Sequence, residues 1–438
     1  MPKERLSIAR WQEAVAESPE RVADRLLGEL ELATVETRRA LFAAIPERGR
    51  LIENLQFALS QGDGPLRGVP YMLQDLFDVR GLPTACGAPF AEPFEAPLEE
   101  SCLLYQELKG RGAAFCGKTV PAEFGVSTLG RNPTFGDCPH ATGSHKVGGG
   151  GAGPSVRAVD DGWVPLAFGM DATGGMRVPT AFHGLFGYRM APNDYARDGV
   201  FPVVPSMDAA GWVTGSLADL RRVFDAFHPR KSERAANAPR GLLLQDDARL
   251  LDREVKAGLL RVIRPLDVED DHASARELLS LLDRAEATLR LVRARELYAL
   301  HQYWIEEYRE RYDHELRRII ETGGECKPAE AEACDADRQL IRGAILKLFE
   351  DFDFLVLPVS PQATPRRRKW SHPLESEILR LVAPASLALL PALTLPFACG
   401  SADFGAVQVL INPKRIDAVS GIFDQVEAVY AKGLPAAL

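Results

Sequence analysis

The chain has 438 residues, of which 46% are hydrophobic and 26% are charged. These proportions are typical of a globular protein with a large core, and the length allows one large α/β unit or two to three domains. The formal net charge of −9 argues against a surface built for nucleic acid or for an anionic membrane. We therefore expect neither as a partner, and we expect the short basic run at 366–369 to be a solvated loop.

The cysteines and the N-terminus indicate a cytoplasmic location. There are seven cysteines, an odd number with no CxxC pair, which is typical of reduced thiols. The N-terminal MPKERLSIARWQEAV lacks the apolar region of a signal peptide. The apolar stretch Ala383–Ala398 contains three prolines and is too short to cross a bilayer, so we expect a buried strand with its approaches.

Hydrophobic spacing divides the first half of the chain into two segments. Residues 1–60 are predicted to form N-terminal helices, and a break rich in Gly, Asp and Pro follows. Residues 61–229 are predicted to form a core of strands and helices, including a strand from Gly68, a helix at Leu103–Gly112, a strand at Ala113–Gly117 and a helix over 217–229.

The second half changes character and then returns to strands. Over 230–350 charge density rises, and helical spacing through Ala275–Glu321 predicts a helical insert. Residues 351–438 complete the core with strands at Phe352–Pro358, Leu389–Pro396 and Ala406–Ile411 and a helix at Asp417–Lys432. Alternating strands and helices predict an α/β fold in one unit, with a large twisted mixed sheet and helices on both faces.

Two glycine-rich turns, Val147–Gly153 and Asp171–Gly175, flank a segment predicted to form a helix and a short strand. Gly151 and Gly175 lie 24 positions apart, one helix out and one strand back, so we expect the turns to face each other across a cleft. Glycine permits positive φ and close backbone approach. N–H groups at a helix start form a cradle for a carbonyl oxygen or an anion, as in an oxyanion hole.

Several motifs, in their order and spacing, make the chain similar to the amidase signature family over most of its length. They are GVPYMLQD, GLPTACG, GAAFCGKTVPAEFG, GMDATGGMRVP, HGLFGYR and PALTLPFACG. The resemblance implies the amidase signature fold and amide hydrolysis by a serine nucleophile, a second serine and a lysine base. Similar proteins, including the tRNA-dependent amidotransferases, work inside complexes, which implies a protein partner or a homo-oligomer.

All three catalytic positions implied by the resemblance are substituted. The lysine position is Gln74, the bridging serine is Gly151 and the nucleophile is Gly175. Glycine has no side chain to attack or to pass a proton, and the glutamine amide accepts no proton at pH 7. Losing one member of such a unit costs on the order of a million-fold in turnover. We predict a pseudoenzyme without a cofactor, binding a small amide or carboxylate or a protein partner.

The turns and the insert supply the expected binding residues. We expect the glycines at 151 and 175 to leave room for a ligand in a cleft bounded by Gln74 and the two turns. A helix face in the insert carries aromatic side chains at i, i+3 and i+6, the last being Trp304. The predicted substrate-binding residues are Gly149, Gly150, Asp171, Ala172, Thr173, Gly174, Tyr298 and His301.

A relocated catalytic centre is the main alternative. Thr173 lies two residues before the substituted nucleophile position, and Lys146 would serve as a base if its ammonium were desolvated. Such a centre would make the protein an amidohydrolase or a non-hydrolytic catalyst. Three more nucleophile candidates lie near the first turn, namely Cys138, Ser144 and Ser155. Hydroxyls are also common in turns as local hydrogen-bonding groups.

Metal and nucleotide sites are weaker alternatives. Cys138, His140 and His145 are zinc-type ligands, but their spacing matches no compact zinc module, so we expect a polar loop and no metal. The GGGGAG run lacks the GK[ST] ending of a phosphate loop, and GKT at 117–119 lacks its upstream glycine. We expect His183 to be a structural, hydrogen-bonded residue.

Overall fold

In the computed structural model, the described residues are 5–90, 94–192, 195–229, 238–245 and 251–436. Within them, eleven strands form one mixed sheet. The strands are β1 (Phe42–Ala44), β2 (Val69–Gln74), β3 (Ala113–Thr119), β4 (Leu166–Met170), β5 (Phe186–Arg189), β6 (Ala210–Thr214), β7 (Arg240–Leu243), β8 (Asp267–Glu269), β9 (Phe354–Pro358), β10 (Ala392–Ala398) and β11 (Phe404–Ile411). Their order across the sheet is β1-β3-β2-β4-β6-β5-β10-β11-β9-β7-β8.

Helices cover both faces of this sheet. They are α1 (Ile8–Glu17), α2 (Pro19–Leu32), α3 (Val35–Leu41), α4 (Arg48–Ser60), α5 (Leu103–Gly110), α6 (Gly153–Asp160), α7 (Arg177–Phe182), α8 (Leu217–Phe227), α9 (Arg253–Ile263), α10 (His272–Tyr308), α11 (His314–Gly324), α12 (Pro328–Leu348), α13 (His372–Leu387) and α14 (Ala418–Tyr430). Along β2, Tyr71 and Leu73 enter one hydrophobic cluster and Met72 enters the other. Because neighbouring side chains on a strand point to opposite faces, both faces are buried, and the predicted α/β architecture is confirmed.

The sheet places the ends of two central strands side by side. β2 runs parallel to β3 and to β4, so the carboxyl ends of β2 and β4 lie at the same edge. β2 ends at Gln74, and β4 ends at Met170, directly before the turn Asp171–Gly175. The first glycine turn leads into α6, which returns to β4. The fold therefore brings the three sequence segments of the predicted site to one edge of the sheet.

Two parts of the fold differ from the sequence expectation. The segment 230–350 is helical from α9 onward, but β7 and β8 within it extend the edge of the sheet beside β9. These strands have only four and three residues, too few for a periodic signal. The first part of Ala383–Ala398 was expected to lead into a strand. It instead forms the end of α13, which continues past Pro384. Proline normally ends a helix, and this one is buried against the core.

The ends of the predicted terminal segments (1–4 and 437–438), and residues 230–237 and 246–250 of the insert, lie outside the described residues.

The longest helix, α10, has 37 residues and packs against α11, α12 and α13. No helix in the described ranges is both long enough and apolar enough to cross a membrane.

Candidate functional site

Gln74 connects the two parts of the predicted site. Its side chain is fully buried. The amide Nε2 donates to the carbonyl of Gly151 at 2.9 Å, and Oε1 accepts from the backbone N–H of Met170 at 2.7 Å. The amide thus links the first glycine turn to the end of β4. Both of its polar atoms are hydrogen-bonded to the backbone, and the amide does not take up a proton at neutral pH.

The two glycine positions are tightly enclosed. A Cβ on Gly151 would lie 2.0 Å from the carbonyl oxygen of Gly125, and a Cβ on Gly175 would lie 2.6 Å from that of Met170. The turns also contact each other, because the N–H of Ala152 donates to the carbonyl of Gly175 at 3.1 Å. The expected room for a ligand at Gly151 and Gly175 is therefore not present, since backbone atoms lie where their side chains would be.

Asp171 shapes the second turn. Its carboxylate accepts from the N–H groups of Gly174 at 3.0 Å and of Arg177 at 2.9 Å, and it forms an ion pair with the Arg177 side chain. Arg189 donates to the Asp171 carbonyl at 3.1 Å. Burial opposes ionisation, but the Arg177 charge and hydrogen bonds outweigh it and lower the pKa of Asp171 to about 2. The carboxylate is therefore a charged structural centre, and it already binds one N–H of the turn.

Other N–H groups of the same turn remain available. Among the described residues, those of Ala172, Thr173 and Gly175 have no acceptor. Ala172 and Thr173 are nonetheless buried. Buried backbone donors are nearly always paired. In the described part of the chain, the turn thus presents three N–H groups that no protein acceptor satisfies.

The candidates for a relocated centre have other partners. The Lys146 ammonium lies 2.7 Å from the Asp403 carboxylate and donates to the carbonyl of Ala402. The Ser155 hydroxyl lies 2.6 Å from that of Thr119. Burial raises the pKa of the Cys138 thiol to about 12, so it is no thiolate at neutral pH. Thr173 therefore has no base among the side chains singled out from the sequence.

A buried lysine next to the site was not singled out from the sequence. Lys118, at the end of β3, lies 2.5 Å from the Asp75 carboxylate. It also donates to the carbonyl of Pro83 at 2.7 Å and to the hydroxyl of Thr84 at 3.0 Å. Burial raises the pKa of Asp75, against the opposing charge of Lys118. The ion pair and the two hydrogen bonds all join Lys118 to the segment that follows β2, so Lys118 fixes this loop. The GKT motif contained this residue, but sequence alone gave it no partner.

The two insert residues predicted to bind substrate lie in different environments. His301 is buried, and its ring contacts Phe124 at 4.5 Å between centroids. It shares a 3.0 Å hydrogen bond with the hydroxyl of Tyr312. Burial lowers its pKa to about 4. Tyr298 is 37% exposed and packs over Gly324. His301 thus belongs to an aromatic cluster, formed by Phe90, Phe94, Phe124, Phe201, His301, Trp304, Tyr308 and Tyr312.

The zinc-type residues near the first turn have separate partners. His140 bonds to the carbonyl of Phe182 at 2.9 Å and stacks on His183 with ring centroids 4.0 Å apart. His183 bonds to Asp160 at 2.6 Å. Burial, together with the neighbouring His183, lowers the pKa of His140 to about 2. His145 bonds instead to Arg366 of the basic loop.

Comparison with known proteins agrees with this fold. The family model described as Amidase matches residues 26–435. The 1-carboxybiuret hydrolase subunit AtzE of Pseudomonas sp. (strain ADP) is 28% identical over 410 residues, covering 87% of this chain and 86% of that protein. Outer envelope protein 64, chloroplastic, of Arabidopsis thaliana is 25% identical over 395 residues, or 82% of this chain, and the match covers 66% of that longer protein. A crystal structure of an amidase matches with a TM-score of 0.82 at 24% identity, covering 97% of this chain and 99% of that one.

Proposed function

The chain belongs to the amidase family, and we propose that it is a non-hydrolytic member, which binds a small molecule or a protein partner on the amidase frame. Amide hydrolysis in this family, as the resemblance implies it, needs a lysine and two serines. The corresponding positions here are Gln74, Gly151 and Gly175. None of these side chains can attack a carbonyl or take a proton at neutral pH.

The observation that carries this proposal is the bonding of Gln74. Its amide donates to Gly151 and accepts from Met170, so it acts as a crosslink between the segments that carried the catalytic groups. Backbone atoms also lie within 2.0 Å of a Cβ at Gly151 and within 2.6 Å of one at Gly175. The surrounding chain is adapted to glycine and glutamine, which fits a protein whose hydrolytic centre has been replaced.

Ligand binding is supported by the backbone donors of the second turn. The N–H groups of Ala172, Thr173 and Gly175 have no acceptor among the described residues. A carboxylate or amide carbonyl oxygen would satisfy them. The proposed ligand is therefore a small amide or carboxylate, bound without turnover.

A partner role is supported by one relative, which is named as a subunit of a hydrolase. The described cysteines are all free, and six of the seven are buried. This pattern fits a reducing compartment, and we propose a cytoplasmic location. Light scattering of the purified protein alone tests for a homo-oligomer. Light scattering of the protein purified from its native cell tests for a bound partner.

A covalent probe tests the non-hydrolytic proposal. A fluorophosphonate that labels activated hydroxyls should leave the protein unlabelled under conditions in which an amidase with the intact lysine and serines is fully labelled. In the same samples, acetate or acetamide should raise the unfolding temperature. Labelling that disappears in Thr173→Ala would refute the proposal and establish a relocated nucleophile.

A further inference from the structure

The basic loop, residues 366–369, lines an open cavity together with one histidine. The volume of this cavity is about 970 Å³ including its mouth, which is in the size range of small-molecule sites. Every lining residue has a basic side chain, and the lining consists of His145, Arg366, Arg367, Arg368 and Lys369. The whole chain has a net charge of −9, so the cavity is a local reversal of charge. An anion in it would face no carboxylate among the lining residues.

The acidic side chains beside the cavity neutralise only part of its charge. Arg367 pairs with Asp137 at 2.8 Å. Arg366 lies 3.6 Å from Asp403, but this carboxylate is closer to a second cation, the ammonium of Lys146, at 2.7 Å. Two carboxylates are thus shared among three cations here, before the last two residues of the basic loop are counted.

Those last two residues, Arg368 and Lys369, are exposed. Within the described ranges, neither side chain forms an ion pair or a hydrogen bond. Positive charges on adjacent residues repel each other, because their separation is shorter than the screening length of physiological salt. A ligand with several negative charges would reduce this repulsion and would bind both cations at once.

Hydrogen bonds fix the backbone of the basic loop independently of any ligand. The N–H of Arg367 donates to the carbonyl of His145 at 2.8 Å, and the N–H of Val147 donates to the carbonyl of Pro365 at 3.0 Å. A loop that is already ordered loses less conformational entropy on binding. Val147 is also the first residue of the first glycine turn, so a ligand on the basic loop would restrain the segment that enters this turn.

The distribution of charge favours a compact anion over a polymer. A nucleic acid gains affinity from many phosphate contacts along its backbone, whereas the chain outside this cavity is acidic overall. The guanidinium group is a planar fork that binds phosphate through two parallel hydrogen bonds, and three such groups line this cavity. A compact ligand with more than one phosphate group matches both the size and the charge of the cavity.

We propose that the cavity at the basic loop binds a soluble small molecule with two or more phosphate groups. Arg368 and Lys369 supply its unpaired cations, and Arg366 and Arg367 add further donors from the same wall. The proposal goes beyond the cradle of the second turn, because no residue of that turn lines this cavity. It holds whether or not the protein hydrolyses amides.

Isothermal titration calorimetry tests the site, with inorganic pyrophosphate as the probe and inorganic phosphate for comparison. Pyrophosphate should bind with one-to-one stoichiometry and more tightly than phosphate. The double variant Arg368→Gln with Lys369→Gln should weaken pyrophosphate binding at least about tenfold, because it removes two charged donors. Arg253→Gln with Lys256→Gln on the exposed face of α9 is the matched control, because it changes the net charge equally, and it should bind as the wild type does.

Hydrogen–deuterium exchange locates the bound probe. Pyrophosphate should slow exchange in peptides covering residues 143–149 and 364–370, and the variant of the basic loop should lose this protection. Undetected binding, unchanged binding in that variant, or equal weakening in both double variants would overturn the proposal. A separate comparison at about 0.15 M salt uses a single-stranded RNA and vesicles containing a phosphoinositide. Tighter binding of either than of pyrophosphate would contradict a small soluble ligand. None of these outcomes bears on the absence of hydrolysis, which the covalent probe tests separately.

Discussion

The carbonyl oxygen of Gly125 lies 2.0 Å from the position that a Cβ on Gly151 would take. A serine with a bridging role therefore cannot be accommodated at position 151 unless the backbone at Gly125 moves. Gly125 itself has a φ of +74°, a conformation that glycine adopts without strain. It follows Phe124, which packs in the aromatic cluster against His301. The glycine at position 151 and the packing of the neighbouring loop are thus one structural feature.

Gly151→Ala should reduce the free energy of unfolding by about 1–3 kcal/mol or more, because the methyl group overlaps backbone atoms. Denaturation by guanidinium chloride measures this loss. Gly153→Ala, two residues further on at the start of α6, is the matched control, because its Cβ would have nothing within 4 Å. Equal stability of the two variants would show that the contact between Gly125 and Gly151 is not a constraint.

Gln74→Met keeps the size of the side chain but removes its amide. The variant should lose roughly 1–3 kcal/mol of unfolding free energy, since the N–H of Met170 would remain buried without an acceptor. The carbonyl of Gly151 keeps its bond from Ala122, so the cost arises mainly at Met170. Gln56→Met on the exposed side of α4 should have little effect. A neutral result for Gln74→Met would remove the crosslinking role.

Lys118→Met should be among the most damaging single changes. It leaves the Asp75 carboxylate buried without its ion-pair partner, which typically costs about 3–5 kcal/mol. The double variant Lys118→Met with Asp75→Leu should recover a large part of this loss, because it removes both charges together. Calorimetric unfolding of the two single variants and the double variant measures the coupling. Additive losses would mean that the pair is not coupled.

His301 should make stability fall as the pH falls. Burial lowers its pKa in the folded protein to about 4, while an unfolded histidine titrates near 6.5. Between these values the unfolded chain binds a proton that the folded chain does not, so unfolding is favoured as the pH drops. From pH 7 to pH 4 the wild type should lose about 3 kcal/mol relative to His301→Phe.

Chemical denaturation across this pH range gives the comparison, and groups present in both proteins cancel in the difference. The exposed His272→Gln serves as the control and should follow the wild type. A parallel pH profile for wild type and His301→Phe would show that His301 is protonated in the folded state as readily as in the unfolded chain.

Sequence patterns predicted much of the fold because strong local signals coincide with its main elements. The predicted strand from Gly68, and the predicted helix and short strand between the turns, correspond to Val69–Gln74, Gly153–Asp160 and Leu166–Met170. β7 and β8 are too short for such a signal, and the buried Pro384 inside α13 is stabilised by packing that sequence does not show. Tertiary contacts override local preference at these places.

The meeting of the two glycine turns was predictable from the sequence, but the space around them was not. The spacing of Gly151 and Gly175 correctly brought the two turns together. The carbonyl oxygens of Gly125 and Met170 lie where side chains at positions 151 and 175 would be. This crowding depends on the folded backbone, so the sequence alone could not show it.

An amide hydrolysis assay provides the decisive comparison. Purified wild type, Thr173→Ala and Gln74→Lys are incubated with a panel of primary and aryl amides, and released ammonia or arylamine is measured against protein-free samples. We expect no turnover above background in any of the three, since Gln74→Lys supplies a base without a nucleophile. Turnover by the wild type that is abolished in Thr173→Ala would show instead that the protein is an amidohydrolase with a relocated centre.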